Sequence, residues 1–260
     1  MTHVSSTRRN APLKLIRIFT RAALPVVAAL ITLGIAAVCA AGNPNPGVLP
    51  PNANAQGHGY SGWSAAWWQW YQSIPASEHP ALDTTGEFCT EGQSGKVFFL
   101  AANLVTTDPI PCTVRTGKSI FFPMANIECS TVELPPFFGS TEEQLRACAK
   151  CWADHIVPSL LEVTVDGRAL KDLKRYRAAS PLFTFEYPAD SIMGIPGGPA
   201  TGQSVSDGYW IYLRPLSAGQ HTVSFSGTFD LPAGDDCGSG FGPASFSFAG
   251  SYKLNVRGGK

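Results

Sequence analysis

"HTVSFSGTF" (residues 221–229) sets apolar Val223 and Phe225 against polar Thr222, Ser224 and Ser226. Successive side chains of a strand point to opposite faces, so this period of two describes a strand with one dry face and one wet face. "ASFSFAGSYKLNV" (residues 244–256) repeats the pattern, with Phe246 and Phe248 set among serines. Such half-polar strands suit an antiparallel sheet that faces water on one side.

Working outward, "LLEVTVDG" alternates Leu161, Val163 and Val165 with Glu162 and Thr164, then reaches Asp166-Gly167. Asp-Gly after alternating apolar residues is a strong hairpin signal. Short apolar runs at residues 96–102 ("KVFFLAA"), 118–124 ("KSIFFPM"), 182–187 ("LFTFEY") and 209–213 ("YWIYL") supply further strands. "VFFL" and "YWIYL" are apolar on both faces, which predicts a sheet covered on both sides. Residues 189–206, with "GIPGGPATG", read as a long connection or a lid. Many short strands, 26 Gly, 21 Pro and few long helices define a mainly β fold. The architecture expected is an antiparallel β-sandwich or jelly-roll-like body.

Two helices are expected on that body. "GYSGWSAAWWQWYQSIP" (residues 59–75) holds four of the six tryptophans. At 100° per residue Trp63, Trp67, Trp70, Tyr71 and Ile74 form one stripe, opposite Ala65, Ala66, Gln69, Gln72 and Ser73. The stripe reads as the buried side of a helix that ends at Pro75, and as a natural cover for the sheet. Trp68 projects about 100° from the stripe and is expected to be exposed. In "STEEQLRACAKCWADHIVP", Ser140 and Glu143 have capping-box spacing and Pro158 closes the segment. Leu145, Cys148, Ala149, Trp152, His155 and Ile156 share one face of this helix.

The N-terminus carries Arg8, Arg9, Lys14, Arg17 and Arg21 ahead of an apolar run at residues 22–38, followed by small residues. That order predicts a signal peptide over residues 1–41, with an uncleaved anchor as the alternative. Residues 42–57, "GNPNPGVLPPNANAQG", read as a flexible tether. Residues 58–260 then form a single disulfide-bonded, β-rich domain. The chain has 19 basic and 19 acidic residues; five basic ones leave with the leader, so 14 remain against 19. An acidic balance excludes nucleic acid as the main partner, and no membrane span is expected after cleavage. Without Cys39 six cysteines remain: Cys89, Cys112, Cys129, Cys148, Cys151 and Cys237. An even count in an exported chain predicts three bridges. Cys89 is expected to pair with Cys112, and the other four to tie the second helix to Cys129 and to the Cys237 loop.

Local chemical motifs are few. "GHGYSG" matches a dinucleotide-binding spacing, but a Pro/Asn segment stands where the strand should be. Cys148 and Cys151 have C-x-x-C spacing, yet lie more than a turn inside a helix, which favours structural bridges. The absence of HExxH and paired-histidine spacing predicts no metal and no cofactor. Paired carboxylates for glycosidic-bond chemistry need two acids in one cleft, and Asp83, Glu128 and Asp207 are the candidates.

"YSGWSAAWWQWYQSIP", "GQSGKVFFLA", "GKSIFFPMANIEC" and "SDGYWIYLRPLSAGQHTVSFSG" together resemble a family of exported bacterial proteins with a Trp-rich helix and a β-sandwich-like body. The resemblance spans most of the chain after residue 57. It implies export and one domain, and brings no reaction or catalytic residues with it. "PLSAGQHTVSFSGTF" also resembles the last strands of immunoglobulin-like sandwiches. The function expected is non-catalytic binding, in the periplasm or outside the cell, of a glycan or another envelope component. Trp68, Phe137, Phe138 and Tyr212 are its candidate contacts. The alternative is a secreted hydrolase acting on carbohydrate through Asp83, Glu128 or Asp207.

Overall fold

Strands with two apolar faces need two covers, and the central sheet has both. The structure, a computed structural model, describes residues 43–235, 237–240 and 242–258; the leader expected at 1–41 lies outside them. Helix α1 (Tyr60–Ser73) is followed by β1 (Val97–Phe99), β2 (Ile110–Arg115) and β3 (Ser119–Ser130). Helix α2 (Glu142–Asp154) precedes β4 (Glu162–Val165), β5 (Arg168–Ala169), β6 (Arg177–Ala179) and β7 (Phe183–Tyr187). The chain closes with β8 (Ala200–Leu213), β9 (Gly219–Leu231) and β10 (Ala244–Arg257).

One sheet runs β1-β3-β8-β6, with β7 on the other half of β8; the second runs β2-β10-β9-β4-β5. The mainly β, sandwich-like body with two helices is therefore as expected, but not every pair is antiparallel. β1 lies parallel to β3, and β2 parallel to β10. β2 and β6 are not among the strands expected, although Ile110, Cys112 and Val114 of β2 alternate with Pro111, Thr113 and Arg115 and are its buried residues. β8 begins at Ala200, so part of the expected 189–206 connection is strand paired with β7.

The first sheet is sandwiched. On one side Phe121 of β3 stacks on Trp210 of β8 at 5.3 Å, and Trp67 of α1 meets Trp210 edge-on at 5.6 Å. On the other side Phe122 stacks on Phe225 of β9 at 4.5 Å. The order is thus α1, first sheet, second sheet. The outer face of the second sheet is wet, with cross-strand hydroxyl pairs Ser224–Ser251 and Thr228–Ser247, as the serine alternation requires.

Three local expectations need correction. Helix α1 is not two-sided: Ser61, Gln69 and Ser73 are its exposed residues, and Ala65, Trp68 and Gln72 are buried. The chain after the helix wraps back over it, with Trp70 Nε1 donating to the Glu91 carbonyl and His79 packed edge-on to Tyr71. β7 closes the remaining side, where Gln69 Nε2 donates to the Thr184 carbonyl. The described part of the 42–57 segment is docked rather than a free tether. Val48 and Leu49 are buried, the Leu49 amide donates to the Tyr212 carbonyl, and Tyr60 Oη donates to the Leu49 carbonyl. The cap of α2 lies one residue later than expected. Thr141 Oγ1 accepts from the Gln144 amide, while Gln144 Oε1 accepts from the Ser140 amide and hydroxyl.

The bridges are Cys89–Cys112, as expected, and Cys129–Cys148 and Cys151–Cys237, which choose between the two ways of tying α2 to Cys129 and to the Cys237 loop. Cys148 and Cys151 belong to different bridges, which removes the C-x-x-C redox reading. No helix of the described residues is long and apolar enough to cross a membrane.

Pro123 sits in the middle of β3. It has no N–H to give the ladder, and prolines inside sheets are confined to edges, strand starts and bulges. Here the register steps from Pro123 opposite Trp210 to Ala125 opposite Tyr209, leaving Met124 as the extra residue of a β-bulge. The second sheet approaches this bulge through Gly227. A Cβ there would lie 2.5 Å from Ala125 Cβ and 2.8 Å from the Met124 carbonyl oxygen. Because one of those atoms is backbone, Gly227→Ala is predicted to cost about 1–3 kcal/mol by overpacking. Denaturant unfolding of the two chains checks this; an unchanged midpoint would show that the sheets can part at no cost.

Candidate ligand pocket

The bulge lies in the wall of an apolar pocket. The pocket holds about 550 Å³, inside the roughly 300–1,000 Å³ range of small-molecule sites. Residues 123–127 of β3 form one wall. Trp67, Trp68 and Tyr71 of α1 form a second, and Phe246 and Phe248 of β10 a third. Phe246 and Phe248 belong to the dry face of the second sheet, in register with Phe229 and Gly227. Phe137 and Trp152, 5.0 Å apart between ring centres, close the end. Leu104, Met193 and Phe246 stand at its rim and are 49%, 39% and 37% exposed, so an apolar edge faces water.

The pocket lining contains no carboxylate, imidazole, amine or thiol among the described residues. Its polar features are specific. Trp68 Nε1, Trp152 Nε1 and Asn126 Oδ1 have no hydrogen-bond partner among the described residues. Leaving a buried donor or acceptor unpaired costs roughly 1–3 kcal/mol. All three atoms are shielded from solvent, so they are buried polar groups of lining residues, not groups presented to the pocket interior.

The residues expected to bind are split by the fold. Trp68 and Phe137 come together in this pocket. Trp68 does so from a buried position, 6% exposed, not as the exposed aromatic expected of it. Phe138 is exposed on the surface away from the lining. Tyr212 is buried against Trp63 and Phe121, because it lies on the α1 side of the doubly covered sheet.

The candidate acids are not brought to one cleft. Asp83 folds back on its own loop, accepting from the Thr85 amide and hydroxyl and from the Gly86 and Phe88 amides. Burial pushes its carboxyl up, but those hydrogen bonds outweigh it and hold the group below the usual carboxylate range. Asp207 is gripped by Arg177, whose Nε and Nη2 donate at 3.0 and 2.8 Å. Glu128 is buried, accepting from Gln72 Nε2 at 2.8 Å and from the Ser204 hydroxyl.

Sequence reading did not find the partner of Glu128. Glu133, in the loop after β3, is buried, accepts from Ser130 Oγ at 2.9 Å and hydrogen-bonds Glu128. A hydrogen bond between two carboxyls requires one of them to hold a proton. Burial raises both groups, and the neighbouring Glu128 charge pushes Glu133 well above the ordinary range. Both carboxyls are buried, and neither lines the pocket.

No protein-family model matches the chain, and no curated protein does. Among solved structures, the solution structure of Amebosin aligns at a TM-score of 0.19 and 14% identity, covering 63% of this chain and 99% of that one. A likeness at that level carries no argument about fold or function.

The acid pair makes stability depend on pH. Glu133 keeps its proton in the folded chain and loses it near 4.5 when unfolded. Above about 4.5 the folded state therefore holds more protons than the unfolded one, and the stabilisation, complete below that value, is lost as pH climbs through the folded pKa. Glu133→Gln mimics the protonated acid at every pH. Thermal melts from acid to neutral pH should show the variant gaining on the wild type as pH rises. A gap that stays constant or narrows would mean that the two carboxyls do not share a proton.

Proposed function

We propose that this protein is an exported, non-catalytic binding protein that takes the apolar part of a small envelope component into the Trp68–Phe248 pocket. The observation that carries the reading is the lining itself. It combines a volume fit for a small molecule, aromatic and aliphatic walls, and an apolar rim open to water. A hydrophobic rim is costly to leave exposed, and such patches mark binding surfaces. The ligand gains by burying that rim.

Two expectations compete with this one. A glycan demands many hydrogen bonds alongside its stacked faces, and this lining offers one side-chain amide and the edges of indole and phenol rings. An acyl or aromatic group suits it better. A carboxylate hydrolase demands two acids at one cleft, and Asp83, Glu128 and Asp207 are each engaged elsewhere. Export is supported by the basic and apolar leader sequence and by three bridges, which persist in oxidising compartments.

The test is a titration with the neutral dye N-phenyl-1-naphthylamine, followed by dye and tryptophan emission, with displacement by fatty acids and by soluble oligosaccharides. One saturable site is expected, displaced by the fatty acids only. Leu104→Asp places a charge at the exposed rim without touching the core and should weaken the dye by about ten-fold or more. Absence of saturable dye binding, or oligosaccharide binding indifferent to Leu104→Asp, overturns the reading.

A further inference from the structure

Outside the pocket, one cluster of side chains has the composition of a metal site. Cys151, His155, Asp235 and Cys237 each offer a ligand atom, and the four atoms lie within 4.8 Å of one another. Cys151 and His155 are four residues apart at the end of α2, so they share one side of the helix. Asp235 and Cys237 come from the loop between β9 and β10. His155 Nε2 lies 3.5 Å from Asp235 Oδ1. Two sulfurs, an imidazole and a carboxylate form a set that binds zinc tetrahedrally.

The sulfurs are joined as Cys151–Cys237, and a disulfide is not a thiolate ligand. Opening the bridge converts it. Metal-bound thiolates at about 2.3 Å from zinc stand roughly 3.7 Å apart, a small separation for a loop to accommodate. The rest of the cluster does not depend on the bridge for its position. The Asp230 amide donates to the His155 carbonyl at 2.9 Å and the Val157 amide to the Thr228 carbonyl at 2.9 Å. Ile156 and Phe229 form a β-bridge between them. The end of α2 and the start of the loop therefore remain together when the sulfurs separate.

This bridge is also the most accessible of the three. Cys151 and Cys237 are both half-buried, whereas Cys89 and Cys112 are buried, and so is Cys129. Thiol–disulfide exchange requires an attacking thiolate to reach a sulfur, so access sets the order of reduction.

We propose that Cys151, His155, Asp235 and Cys237 form a redox-gated zinc-type site, in which the disulfide and a bound divalent metal are alternative states of the same four residues. A dithiol reductant supplies the two electrons: its thiols form a cyclic disulfide, and Cys151 and Cys237 become thiols. Binding of the metal then displaces one proton from each thiol, with His155 and Asp235 completing the tetrahedron. The loop carrying Cys237 leads directly into β10, where Ala244 and Phe246 line the pocket, so the state of this site bears on the pocket wall.

The experiment uses the purified chain with its three bridges formed. It is treated with limiting dithiothreitol, the opened thiols are mapped by alkylation and mass spectrometry, the reductant is removed without air, and Co²⁺ is titrated. Cys151 and Cys237 should open first. One equivalent of Co²⁺ should then bind, with sulfur-to-cobalt charge-transfer absorption and the visible bands of a tetrahedral ion, and Zn²⁺ should displace it. His155→Ala leaves every bridge intact, and after reduction should bind Co²⁺ more weakly by at least about ten-fold. The proposal is overturned if another bridge opens first, if the opened pair binds no Co²⁺, or if His155→Ala binds as tightly as the wild type.

Discussion

A β-bulge in the central strand, just after Pro123, is the constraint to which the neighbouring backbone is fitted. At Pro123 the ladder between β3 and β8 breaks, Met124 is extruded, and pairing resumes at Ala125. A bulge bends and twists its strand, and here the distorted stretch is the wall of the pocket. The neighbouring backbone has had to comply. Gly208 lies where a Cβ would come within 2.5 Å of Asn126 Cα, and Gly227 where one would meet Ala125. Glycine at these two places reflects close backbone approach rather than any demand for unusual dihedral angles.

The second constraint is that the central sheet has no wet face. Burying both sides of β3 and β8 brings large hydrophobic gain, at about 25 cal/mol per Å² of apolar surface. It also traps whatever polar groups the strands carry. Glu128 is the consequence: it has no route to water and is kept by Gln72, Ser204 and the shared proton with Glu133. Gln72 and Trp68 are one helical turn apart on α1, one holding the acid network and the other lining the pocket. The same helix therefore links a proton-dependent cluster to the binding wall, through a rigid element rather than through contact with the ligand.

What the sequence disclosed follows from where each signal resides. The alternation in β9 and β10, the Asp166-Gly167 turn, the helix at "SAAWWQWY" and the even cysteine count are all local patterns or counts, and all appear in the structure. Phe246 and Phe248 could be read as inward-facing. That the first sheet stops short of covering them depends on strand length and register, which no local window contains. Trp68 is buried among residues 123–127, Phe137, Trp152 and Met193, all distant in the chain, so a helical wheel assigns it to water. Glu133 stands in "TVELPPFF", which has no period, and only the fold reveals its partner. Pro123 inside "KSIFFPMANIEC" is a local sign of the bulge that reading 118–124 as an ordinary strand passes over.

An apolar pocket with an apolar rim must also be kept from collapsing. Chains relax into cavities where they can, and the energetic penalty for a cavity in a well-packed core, near 24 cal/mol per Å³, shows how strong that tendency is. Two of the three bridges oppose it here. Cys129–Cys148 fastens the end of β3 to α2, and Cys151–Cys237 fastens α2 to the loop before β10, with sequence separations of 19 and 86. In the chain-entropy view such closures remove about 3 and 4.5 kcal/mol of unfolded-state freedom. Their position matters as much as their energy. Trp152 lies between Cys148 and the end of α2, Phe137 lies in the loop spanned by the first bridge, and Ala244 and Phe246 follow the loop held by the second. The bridges thus fasten the α2 end of the pocket, where Phe137 and Trp152 lie outside the β-ladders.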